Sequence, residues 1–142
     1  MVSITRTATL TFDAPVARVM PMFTPAGERA WAEGWDPRFP AGERGDGADP
    51  GTVFATEHSG PTTWIVASRG ERAVRYARVT HGRTAGLVTV TCEPRDGGTA
   101  ATVTYELTAL SPDAEAELDG FDRHFPAMMD TWQQAVSAAL AP

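Results

Sequence analysis

The chain has no lysine. All twelve of its basic residues are arginines, which excludes chemistry that runs through a lysine Schiff base. Cysteine occurs once, as Cys92. It cannot close an internal disulfide, and no base lies beside it in sequence to activate it, so a buried, inert thiol is expected. The three histidines, His58, His81 and His124, are far apart with no close-spaced ligand pair, and no metal site is expected. Phosphate loops, dinucleotide fingerprints and the GxSxG elbow are all missing, and Gly45-Asp46-Gly47 is ordinary loop composition. No apolar run reaches the ~18 residues of a membrane span, and the N-terminal residues Met1 to Arg6 lack the apolar core of a signal peptide. The expectation is a cytoplasmic protein with no membrane partner. A formal net charge of −6 and a pI near 4.9 argue against a nucleic-acid partner, because phosphate backbones are bound through excess positive charge.

A length of 142 residues with 42% hydrophobic content suits one globular domain over residues 1–142. Its longest patterned stretch is the last, Ser111 to Leu140. Leu118, Phe121, Phe125, Met128, Met129, Trp132, Val136 and Leu140 recur at steps of three and four, which places them on one helical stripe. Burying that stripe is worth on the order of 10–20 kcal/mol before the entropy of ordering is subtracted. No other helical run is long enough to cover it, so its partner must be a sheet. Ser111 suits the cap, Pro112 the first position, and Asp113, Glu115, Glu117 and Asp119 the positive end of the dipole. Pro126 withholds a hydrogen bond from the carbonyl of Asp122 and predicts a bend there. Either the helix follows a curved sheet or the freed carbonyl faces a cavity.

From the start, Ser3 to Phe12 alternates apolar and threonine-rich positions, the pattern of a half-buried strand. Asp13 is a candidate cap for a short helix carrying Val16, Val19, Met20 and Phe23, which Pro21 should cut short. Thr24-Pro25 opens a second through Glu28, Arg29 and Trp31. Residues Gly34 to Gly51 read as a long surface loop anchored by Trp35 and Phe39, either functional or a disordered insertion. Beyond it the period becomes two. Thr52 to His58, Thr62 to Ser68, Ala73 to Thr80, Ala85 to Cys92 and Thr99 to Ala109 are strand-like, separated by the turn sequences Ser59-Gly60-Pro61, Gly70-Glu71, His81-Gly82-Arg83 and Arg95-Asp96-Gly97-Gly98. Links this short make neighbouring strands antiparallel.

This order of elements, with Phe23-Thr24-Pro25-Ala26-Gly27-Glu28-Arg29-Ala30-Trp31, Gly34-Trp35-Asp36-Pro37, Gly51-Thr52-Val53-Phe54, Glu57-His58 and Tyr105-Glu106-Leu107-Thr108, resembles the START-related helix-grip superfamily (SRPBCC). It is most similar to the superfamily's bacterial small-domain branch. The superfamily includes polyketide cyclase/dehydrase-like, birch-pollen-allergen-like and chaperone-activator-like domains. The resemblance implies an α+β fold in which a curved antiparallel sheet of about six strands grips the final helix, with two short helices after the first strand and an apolar cavity between sheet and helix.

Short helices and a long loop at one end, with more aromatic side chains than a thin core needs, independently leave room for a pocket. Its candidate lining is Trp35, Phe54, Trp64 and Tyr76, with Tyr105, Phe121, Phe125 and Met129, although each also suits ordinary core packing. The two phenols stand out because a buried hydroxyl needs a partner that a ligand could supply. Glu57, His58, Arg78 and Glu28 are the charged candidates, the first three as acid–base and oxyanion-binding groups. Glu57 and His58 are adjacent, so only one faces inward: an even loop through Gly60-Pro61 puts Glu57 beside Trp64, an odd loop His58. An inward carboxyl has its pKa raised by desolvation, and an inward imidazole titrates near neutrality untuned. Arg78 shares its face with Tyr76 and suits a carboxylate or enolate oxygen. The plainer alternative is a surface Glu–Arg pair and a solvated histidine. Glu28 and Arg29 are expected to tie the second helix to the neighbouring loop.

Three functions remain open: a cofactor-free module binding a small hydrophobic or aromatic molecule, a cofactor-independent cyclase or dehydratase using acid–base groups in the same cavity, and a chaperone-activator-like protein-interaction domain. A cavity lined by apolar groups and one phenol favours the first, an inward ionisable pair the second, a filled interior the third. A homodimer is compatible with all three.

Overall fold

The computed structural model describes residues 1–58 and 60–142; Ser59, part of the expected Ser59-Gly60-Pro61 turn, lies outside the described residues. Six strands form one antiparallel sheet: β1 (Ser3–Phe12), β2 (Val53–Thr56), β3 (Thr62–Arg69), β4 (Ala73–Thr80), β5 (Thr84–Arg95) and β6 (Gly98–Ala109), in the spatial order β1-β6-β5-β4-β3-β2. Between β1 and β2 run a short helix α1 (Val16–Val19) and two 3-10 turns, Met20–Phe23 and Gly27–Ala30; the long helix α2 (Pro112–Leu140) ends the chain. This is the helix-grip fold, a curved sheet closed over by its terminal helix. None of the described helices is long and apolar enough to cross a membrane.

Alternation decides which face of the sheet is inside. Val103, Tyr105 and Leu107 of β6 are buried while Thr102, Thr104 and Thr108 point away, and on the outer face Thr7 meets Thr104 and Thr9 meets Thr102 at 3.2 and 3.3 Å. Register then stacks the inward residues into rows across the strands. Thr56, Thr62, Thr80 and Thr84 form the first row. Phe54, Trp64, Arg78, Gly86 and Leu107 form the second. Val66, Tyr76, Val88, Tyr105 and Arg6 form the third, and Val74, Val90, Val103 and Ala8 the fourth.

Helix α2 begins as expected, with Ser111 Oγ accepting from Ala114 N at 3.3 Å, and stays helical through Pro126. The carbonyl that Pro126 leaves without its helical donor does not face a cavity. Arg6 of β1 reaches it, donating from Nη1 to Asp122 O at 3.3 Å and to Asp122 Oδ1 at 3.0 Å, with the guanidinium 5.3 Å from the centre of the Phe125 ring. The orphaned acceptor is thus satisfied by the sheet.

Two local expectations need correction. The N-cap of α1 is Pro15 and no side chain caps it, so Asp13 does not. The segment from Gly34 to Gly51 is anchored by Trp35 and Phe39, as expected, but it is tied in further. Ala26 N donates to Asp46 O at 3.0 Å, Arg38 pairs with Ala55, Arg69 meets Asp46 at 2.9 Å, and Ala48 is buried. Cys92 is buried, and desolvation, reinforced by Glu93, pushes its thiol up to about 11.

Candidate functional site

Between the first three rows of the sheet, the second 3-10 turn and α2 lies a cavity of about 750 Å³. A void of about 20 Å³ lies behind it, and Glu28, Trp35, Trp64, Tyr105 and Trp132 line both. Exposed Glu33, Gly34, His58 and Thr131 on the larger cavity's wall mark where it reaches solvent.

The second 3-10 turn builds one wall. Thr24 Oγ1 accepts from Gly27 N at 3.0 Å and donates to Pro21 O at 2.8 Å. Only glycine fits at Gly27, because a Cβ there would lie 1.7 Å from Pro21 O. The indole N–H of Trp31 donates to Met22 O at 2.7 Å and that of Trp35 to Pro25 O at 2.8 Å, so both rings are fixed at the cavity edge. Successive side chains of a 3-10 turn diverge by about 120°, and the neighbours Glu28 and Arg29 part accordingly. Arg29 turns out to a bidentate contact with Glu43 at 2.7 and 2.8 Å, the tie expected of it. Glu28 does not share that role. Its carboxyl lines the cavity and makes no hydrogen bond or ion pair among the described residues, and burial holds its pKa well above the ordinary 4.5.

The sheet supplies the opposite wall. Phe54 and Trp64 stack with rings 5.7 Å apart and an interplanar angle of 3°. Trp64 Nε1 donates to Thr56 Oγ1 at 3.0 Å. Arg78 stands beside it in register, its guanidinium 5.0 Å from the Trp64 ring centre; on the other side its neighbour is Gly86, which offers no side chain. Its Nη2 has a long 3.4 Å contact to Thr80 Oγ1, and its buried Nε has no partner. Burial lowers its pKa, opposed by Tyr105 and Glu117. The two phenols differ. Tyr76 is satisfied, donating to Phe23 O at 2.8 Å, whereas the Tyr105 hydroxyl has no partner among the described residues and lines the cavity. Desolvation raises the pKa of both.

The candidate residues from the sequence therefore separate. Trp35, Trp64, Arg78, Tyr105 and Phe121 meet at the cavity, and Phe54 and Tyr76 line only the void behind it. Phe125 and Met129 lie in the packed core instead, against Arg6 and Tyr105 for the former. The helix wall is made by Leu118, Phe121, Met128, Trp132 and Ala135. Glu57 lies outside: β2 ends at Thr56, and Glu57 pairs with Arg38 at 2.6 Å in solvent. Pairing of Thr56 with Thr62 leaves five residues between the strands, the odd loop, and His58 stands at the mouth. There it packs against Gly34, where a Cβ would fall 2.7 Å from its Nδ1. Sequence reasoning named Glu28 as a charged candidate but gave it to the loop tie, and it missed Trp31 and Trp132 as wall residues. The spacing of Thr24, Gly27 and Trp31 was the available signal that Glu28 points inward.

A family model described as polyketide cyclase / dehydrase and lipid transport matches residues 1–141. The chain belongs to this polyketide cyclase/dehydrase family. Among curated proteins none matches it. Solved structures share the fold at low identity. Ms6760 from Mycobacterium smegmatis is 17% identical over 96% of this chain and 90% of its own, with a TM-score of 0.67. MLL2253 from Mesorhizobium loti is 17% identical over 95% and 98%, with a TM-score of 0.68. DynU16, from the dynemicin biosynthetic locus, is 13% identical over 96% of this chain but 46% of its own, with a TM-score of 0.67.

Proposed function

We propose that this family member binds a small hydrophobic or aromatic molecule in the cavity between sheet and helix, with no cofactor. The observation that carries the reading is the cavity itself: about 750 Å³, inside the range of about 300–1,000 Å³ typical of small-molecule sites, walled by four indoles, Trp31, Trp35, Trp64 and Trp132, and holding polar groups that the fold does not satisfy. Apolar walls supply the affinity and the few polar groups the orientation. A cavity this large also argues against a chaperone-activator-like role, for which a filled interior was the expectation. Native mass spectrometry of the protein purified from its own cells should show a co-purifying molecule of a few hundred daltons. Saturation at 100 times Kd should stabilise the fold by roughly 2.7 kcal/mol. Preparations that carry nothing, with a melting temperature unmoved by a library of aromatic compounds, would overturn the reading.

A second reading, a cofactor-independent cyclase or dehydratase, is favoured by one specific observation: Glu28, Tyr105 and Arg78 all reach the cavity without a protein partner to occupy the Glu28 carboxyl or the Tyr105 hydroxyl. A carboxyl whose pKa burial has raised can take up and return a proton, and a guanidinium and a phenol stabilise a developing enolate. Deuterium exchange at the methyl group of 2-acetylnaphthalene, followed by NMR, tests this step. Exchange that depends on the protein and vanishes in Glu28→Gln supports it; exchange at the buffer rate removes it.

A further inference from the structure

We propose that the ligand is an aromatic monoanion, its oxyanion held by Arg78, and that it binds while Glu28 is protonated. This deepens the binding reading and rests on it.

Arg29, Arg38, Arg69 and Arg83 each have a carboxylate within 2.6–2.9 Å. Arg78 has none, although its Nε is buried. Glu117 of α2, the carboxylate whose charge bears on it, is held bidentately by Arg83 at 2.7–3.1 Å, and Glu57 lies outside the cavity, paired with Arg38. A guanidinium is a planar donor fork that matches a carboxylate, sulfonate or enolate. Here one face of the fork lies on Trp64 and its in-register neighbour is Gly86, so an anion carried on a flat ring can approach it along the indole.

Glu28 faces the same cavity from the other wall without forming an ion pair with Arg78. The titratable and charged groups that share this space with it are Tyr105 of β6, Arg78 of β4, Glu117 of α2, Glu33 after the 3-10 turn and His58 at the mouth, with Tyr76 across the smaller void. Both phenols stay neutral, and Glu117 is compensated by Arg83. With Glu28 protonated, Arg78 is the uncompensated charge inside, and a single negative charge on the ligand cancels it. A neutral ligand leaves Arg78 unpaired, and a cation meets it directly. Once Glu28 ionises, it stands as a second negative charge in the cavity and opposes the anion. The chain's overall charge of −6 slows the approach of an anion from solution, but it does not set the preference at the site, where burial leaves the local pair dominant.

The test compares two dyes of one skeleton, 8-anilinonaphthalene-1-sulfonate and uncharged N-phenyl-1-naphthylamine, by fluorescence titration of the full chain. The wild type should prefer the sulfonate by about tenfold or more, the range of a charge-assisted hydrogen bond. Arg78→Met should abolish that preference while keeping the affinity for the neutral dye, which shows the cavity intact, and Arg78→Lys should restore part of it. Sulfonate affinity should fall as pH rises above 4.5 through the raised pKa of Glu28 in the wild type and stay flat in Glu28→Gln. Equal binding of the two dyes, an unchanged preference in Arg78→Met, or a pH profile shared by Glu28→Gln overturns the inference alone. If neither dye binds, the binding reading falls with it.

Discussion

The two ends of the interior are built from similar residues and end up in opposite states. At the closed end, Val74, Val90 and Val103 of the sheet, Phe125, Met129 and Val136 of α2, and Val19 and Phe23 are buried together. Their polar neighbours are satisfied there: Thr99 Oγ1 donates to Ala14 O at 2.7 Å and Tyr76 to Phe23 O at 2.8 Å. At the open end, Trp31, Trp64, Phe121 and Trp132 are as apolar but line a cavity, and Glu28, Tyr105 and Arg78 are left without adequate partners. Close packing stabilises a fold by removing voids, whereas unsatisfied buried groups cost stability and are kept where something else meets them. The contrast separates residues that pack the fold from residues that line the cavity.

The largest effect should come from cutting one aromatic at each end. Phe125→Ala should lower stability by about 3–5 kcal/mol in urea unfolding, because it opens a new void. Phe121→Ala, half-buried on a wall that already faces space, should cost about 1–2 kcal/mol; equal losses would break the comparison. A smaller effect is expected at the seam. Arg6→Ala should cost about 1 kcal/mol, since the Arg6 and Asp122 side chains are 34% and 31% exposed. In a Pro126→Ala background, where the helix supplies its own donor to Asp122, the loss should shrink, and a double-mutant cycle measures the difference.

Glu28 sharpens the comparison through pH. Its carboxyl, ordinarily near 4.5, is held higher in the fold by burial. The unfolded chain therefore releases this proton first, and stability is lost as pH rises from about 4.5 through the folded pKa. Against Glu28→Gln, the wild type should lose ground over that interval in denaturation curves taken at several pH values; parallel profiles would mean that the carboxyl is solvated. The smallest effect belongs to Glu57, paired with Arg38 at 62–69% exposure. Glu57→Gln should change stability by less than about 0.5 kcal/mol and leave dye affinity unchanged.

Most of the fold was legible because strands and helices advertise themselves through local periodicity. The strand pattern of Ser3 to Phe12 and the capped run after Ser111 correspond to β1 and α2 nearly residue for residue. The site was legible only in part. Arg78, Trp64 and Tyr105 share inward rows fixed by alternation, but periodicity cannot divide one apolar helix stripe into a packed half and a cavity-lining half. Phe125 and Phe121 look alike in sequence and differ only in where the sheet's curvature leaves room. Glu57 looked as eligible as Glu28 because burial is not a property of neighbours along the chain.

The sequence by itself determined the order, type and inward face of the elements, since each depends on the next few residues: alternation, capping at Ser111, the break at Pro21. The tertiary structure decided that Arg6 would serve the Asp122 carbonyl, that Glu28 and Arg78 would look into one cavity without touching, and that Tyr76 but not Tyr105 would find a partner. These are contacts between groups tens of residues apart, set by how six strands curve around one helix, and no local pattern encodes that curvature.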